Sequence, residues 1–121
     1  MSQTPADRME NKEDSTQKIL RTVVYDKAFV FYEGIGKPAG EFAISLSDLN
    51  EKINTISSQS LAFHLKRGDF ENWIRETLGD GELSQQIGKL KTKKTLWKND
   101  ASIRTKLHAT IRNRITELQD S

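Results

Sequence analysis

The chain reads as an α+β domain: an N-terminal β-hairpin or small antiparallel sheet, then a helical C-terminal half with a long last helix. Three observations carry this. Two short runs rich in aromatic and β-branched residues, Ala28–Tyr32 and Glu41–Ile44, flank a glycine cluster. From Ser45 onward apolar residues recur at helical spacing. The last stretch, about Asp100 to Leu118, holds one stripe of Ile103, Leu107, Ile111, Ile115 and Leu118.

Taken in order, residues 1–17 are polar, mixed in charge and poor in large apolar groups, so a disordered tail is expected there, with a single domain over 18–121. Thr22–Tyr25 either adds a third strand or leads into the first. Gly34, Gly36, Pro38 and Gly40 crowd one seven-residue stretch, which predicts a longish hairpin loop. Ser45 followed by Asp48 forms a capping pair, and Leu46, Leu49, Ile53 and Ile56 make one helix face. The segment Leu61–Leu65 ends at Gly68, a residue suited to a helix C-cap. Asp69 is placed to cap the next helix, whose inward face is Phe70, Trp73, Ile74 and Leu78, closed by Gly79. Asp80 opens another, with Leu83, Ile87 and Leu90 in register. The expected core takes these faces without Leu90, the Leu107, Ile111 and Ile115 part of the last stripe, and Phe29, Phe31, Ile44, Phe63 and Leu65.

Composition narrows the chemistry. In 121 residues there is no cysteine, which removes disulfides, thiolate catalysis and cysteine metal sites. No apolar run approaches membrane-spanning length and the N-terminus lacks an apolar signal core, so a cytoplasmic protein without a membrane role is expected. Only two histidines occur. His64 lies near Arg67 and Asp69, a grouping that invites an acid–base reading. No nucleophile motif accompanies it, and a structural role in capping is the better reading. His108 is flanked at four residues on either side by Arg104 and Arg112, which disfavours its charging or binding a metal. Lys37, among the loop glycines, precedes Pro38 and a strand, not the helix a phosphate loop requires. No catalytic residue, metal or cofactor is expected, and the chain reads as non-enzymatic.

The signature Phe63-His64-Leu65-Lys66-Arg67-Gly68-Asp69-Phe70-Glu71-Asn72-Trp73-Ile74, followed by Leu78-Gly79-Asp80 and Leu83, resembles a family of small uncharacterised domains found mainly in archaea and also in bacteria. The resemblance extends over about residues 27–118 and departs at Gly81 and Ser84. It implies a shared fold and a prokaryotic cytoplasm. The family has no assigned activity, so it implies no mechanism. Within the signature, His64, Arg67, Asp69 and Trp73 are expected to be structural.

Charge is uneven along the chain. Residues 1–80 carry 10 basic and 13 acidic side chains, whereas residues 81–121 carry 9 and 4. Lys89, Lys91, Lys93, Lys94 and Lys98 fall within ten residues, with Trp97 among them and no acid. Arg104 and Arg112 lie on the last helix, facing away from its apolar stripe. Cations neutralise phosphates and an indole stacks on bases, so this surface reads as a sequence-independent contact for DNA or RNA backbones. The alternative is a protein-interaction or regulatory adaptor with no nucleic-acid role, dimeric through the last helix or an exposed sheet edge.

Overall fold

The computed structural model describes residues 15–92 and 99–120, and its architecture is the α+β arrangement expected: one antiparallel hairpin followed by helices. Helix α1 covers 15–20, so residues 15–17 of the expected tail are helical, while 1–14 lie outside the described residues. A 3-10 turn at Tyr25–Lys27 leads to β1 (Phe29–Gly34) and β2 (Lys37–Ala43). Then come α2 (Leu46–Thr55), α3 (Ser58–Arg67), α4 (Asp69–Trp73), a π-helical turn (Ile74–Leu78), α5 (Gly81–Lys91) and α6 (Asp100–Asp120).

One expectation for the hairpin, the length of its loop, is corrected. The loop is short, because β2 already starts at Lys37 and Gly34 pairs with Lys37. Gly36 supplies the left-handed conformation of the turn (φ 71°), and Pro38, Ala39 and Gly40 lie in the strand. Thr22–Tyr25 adds no strand. It is tied to the hairpin's end by one bond, from the Val23 amide to the Ile44 carbonyl (2.7 Å), before the chain turns.

Local signals place the helices. Ser45 caps α2 by accepting from the Asp48 amide, and Asp48 accepts in return from the Ile44 amide, one residue before the usual capping-box partner. Ser57 caps α3, and Gly68 ends it in a left-handed conformation (φ 75°). Asp69 does not cap α4, whose N-cap is Gly68, because its carboxylate is engaged elsewhere. The helix over Phe70–Leu78 widens into the π turn at Ile74 and stops at Gly79 (φ 88°). Asp80 caps α5 through the Leu83 amide (3.2 Å).

The core lies where α2 and α5 pack on α6 and where α3 packs on β1. Phe29 and Phe31 point inward from β1, and both rings meet Phe70. The stripe of α6 is used inside the domain: Ile103, Leu107, Ile111 and Leu118 are buried and Ile115 is partly so. Ile44 and Phe63, expected in the core, are only half-buried. Ile19, Val23, Ala43, Leu61, Leu90, Ile103 and Leu118 join it instead. No described helix is long and apolar enough to cross a membrane.

Candidate functional site

The signature residues converge on β1. Trp73 donates its indole N–H to the Lys27 carbonyl (2.7 Å), just ahead of the strand. Phe70 stacks on Phe29, with ring centroids 5.0 Å apart. His64, on α3, accepts the Tyr32 amide at Nε2 (2.8 Å), which assigns its ring proton to Nδ1, donated to Asp69 Oδ2 at 2.8 Å. Arg67 donates from Nε to the same oxygen (3.1 Å).

This arrangement also explains the irregular ladder of the hairpin. Tyr32 sits opposite Pro38, which has no amide hydrogen, and the Tyr32 amide is turned to His64, so the register shifts on both sides of that pair. The histidine thus takes the place of a missing strand neighbour. Burial pushes its pKa below the ordinary value and outweighs the Asp69 carboxylate, which pulls the other way; Arg67 adds to the lowering. A neutral imidazole with both nitrogens bonded has no lone pair left to take a proton from a substrate. His64, Arg67, Asp69 and Trp73 therefore form a clasp that fastens the hairpin to the helices.

The clasp leaves a groove beside it. An open cavity of about 600 Å³ lies between the hairpin and the end of α3. Phe29, His64 and Trp73, all buried, lie along it, and Val30, Tyr32, Ile35, Phe63 and Arg67 are the more exposed residues at its sides. The apolar surface continues past the groove. Val30 pairs across the hairpin with Phe42, both about half exposed, and Tyr25, 73% exposed, meets the Phe42 ring edge-on at 5.5 Å. Ile35 at the turn is 85% exposed. None of the expectations from the sequence names this face. Its signal was available: Phe29 to Tyr32 are apolar at every position, so alternation must turn two of them outward.

The expected basic surface fares differently. Lys93, Lys94, Trp97 and Lys98 lie outside the described residues. Lys91 forms an ion pair with Glu71 (3.3 Å) across Gly68, where a Cβ would sit 3.4 Å from its ammonium. Arg104 reaches across to the end of α2, donating from Nη1 to the Ile53 and Ile56 carbonyls (both 2.8 Å), and pairs with Asp100. It thus satisfies helix-end carbonyls and does not stand on a free face. Arg114 bonds the buried Asp80 through Nε (2.8 Å) and Nη2 (3.1 Å). Lys89 and Arg112 are exposed. Among the described residues no three His, Asp or Glu side chains come together as a metal site.

No family model, curated protein or solved structure matches this chain.

Proposed function

We propose that the protein is a non-catalytic interaction module that docks an apolar segment of a partner protein on the outer face of its hairpin. The observation that supports this is the continuity of Tyr25, Phe42, Val30 and Tyr32 with the groove beneath Phe63. Exposed apolar residues scattered singly are ordinary, but a contiguous set bordering a concave groove is what binding surfaces share. The clasp supports the same reading, because it holds the hairpin rigidly while the His64 nitrogens and the Trp73 indole are used internally. Rigid presentation lowers the ordering cost of association.

Contact with DNA or RNA backbones is the second reading. Lys89 and Arg112, together with Lys93, Lys94, Trp97 and Lys98, favour it; the internal bonds of Lys91 and Arg104 weigh against it. Dimerisation through the last helix loses its basis, since the α6 stripe is spent on α2 and α5.

A random-peptide display selection decides between the two readings, with the chain as bait and the Val30→Asp/Phe42→Asp double variant as counter-bait. The interaction reading expects enriched apolar peptides that the double variant does not hold. No enrichment, together with duplex DNA binding that falls steeply with salt, would overturn it in favour of phosphate contact.

A further inference from the structure

We infer that the groove captures the C-terminal carboxylate of a partner chain ending in apolar residues, with Arg67 as the anion anchor. The inference rests on the interaction reading and names what that surface selects.

Arg67 is about half exposed at the side of the groove, and its bonding is asymmetric. Nε is committed to Asp69, while the guanidinium carbon lies 5.0 Å from the centroid of the Phe63 ring. The stem and Nε edge are therefore held, by a hydrogen bond on one side and an aromatic face on the other. No described residue accepts from Nη1 or Nη2. The free end of a guanidinium is a planar fork matched to the two oxygens of a carboxylate. Asp69 does not cancel this end. One of its oxygens already takes N–H donors from both His64 and Arg67, which places the negative charge at the Nε edge and leaves the fork facing outward.

The rest of the groove says which carboxylate fits. Polar groups that a through-running backbone would need are already used: the Tyr32 amide on His64, the His64 nitrogens, and the Trp73 indole on Lys27. An internal Asp or Glu would bring peptide groups on both sides into walls made by Val30, Tyr32, Ile35 and Phe63, where few partners remain. A chain terminus has backbone on one side only. Its carboxylate is one carbon away from its last side chain, so an anion and an apolar group arrive together, as Arg67 beside Phe63 requires. A groove of this volume accommodates one or two such side chains.

The test uses fluorescein-labelled hexapeptides ending in every pairing of Val, Leu, Ile and Phe, each as free acid and as C-terminal amide, titrated by anisotropy against the full chain. At least one free acid is expected to bind, with its amide about ten-fold weaker or worse, the effect of losing one charge-assisted contact. Arg67→Gln should show the same loss for the acid and no change for the amide. Arg67→Lys should fall between, because an ammonium keeps the charge and loses the fork. Thermal melts of both variants confirm that they fold. Equal binding of acid and amide, an unaffected Arg67→Gln, or no binding of any acid at about 1 mM would each overturn the proposal. If display-selected internal peptides still depend on Val30 and Phe42, the terminus idea alone has failed. If they do not, the interaction reading has failed with it.

Discussion

Two polar anchors hold this fold, and they differ in kind. At the hairpin, a neutral histidine bridges a strand amide and a carboxylate that is about one-quarter exposed. At the helical end, Asp80, with its side chain 1% exposed, takes a two-point bond from Arg114 while also capping α5. The first anchor joins elements by hydrogen bonds around an aromatic cluster, and the second by charge inside a helix junction. The first withdraws His64, the residue that looks catalytic in the sequence, from the surface. What remains for a partner is what the anchors leave uncovered: apolar side chains at the hairpin, and a few cations at the helical end.

The largest loss is expected at the hairpin. Trp73→Ala removes a buried indole, its packing on Phe29 (5.9 Å) and its bond to Lys27, and should cost about 3–5 kcal/mol, read as a lowered denaturant midpoint. A midpoint equal to the parent's would show that the clasp does not hold β1. Asp80→Ala comes next at about 3 kcal/mol, the low end for a broken buried pair, because Glu82 and Glu117 still face Arg114. Asp80→Asn, which keeps a capping oxygen, should lose less. Equal losses for the two variants would mean that the charge, not the cap, carries the anchor.

Much of this architecture is legible in the sequence because its determinants are local. Ser45, Gly68, Gly79 and Asp80 act on their own helix ends, and the α5 and α6 faces follow from spacing within one helix. Asp69 is the instructive failure. A carboxylate at the first residue after a glycine fits a cap as well as a tertiary bond, and the competitor was His64, whose position depends on how α3 ends. Arg104 fails for a related reason: its spacing sets it off the apolar stripe, but its long guanidinium side chain reaches a neighbouring helix end that no periodicity reveals. The hairpin's outer face was hidden differently: strand-forming residues on both sides of a ribbon do not say which side the helices will cover.

The two anchors should separate under acid. The folded pKa of His64 lies below its ordinary value of 6.5, so near and below that pH the unfolded chain binds a proton the folded chain refuses. Stability is complete above 6.5 and falls as the pH drops toward the folded pKa, by at most about 1.4 kcal/mol per pH unit for one proton. Protonation at Nε2 would also set two N–H groups, those of His64 and Tyr32, against each other, while Asp69 favours and Arg67 opposes the charge. Melts from pH 7 to 5 should therefore slope in the parent and flatten in His64→Gln. An identical slope in that variant would move the titration to another group.

The smallest effects on stability are expected from the exposed cations, and they bear on function. Lys89→Ala and Arg112→Ala should change stability by no more than about 0.5 kcal/mol, as surface substitutions usually do. Arg104→Ala should cost about 1.5–3 kcal/mol, because it strips a charged donor from the Ile53 and Ile56 carbonyls. The same three positions grade the phosphate-binding reading. If the helical end contacts nucleic acid, Lys89→Glu with Arg112→Glu should weaken duplex DNA binding and flatten its salt dependence by about two ions, with the melt unchanged. If Arg104→Ala alone has that effect on a chain that is still folded, the arginine leaves α2 to meet a phosphate, and the division between anchor and surface drawn for this half of the molecule does not hold.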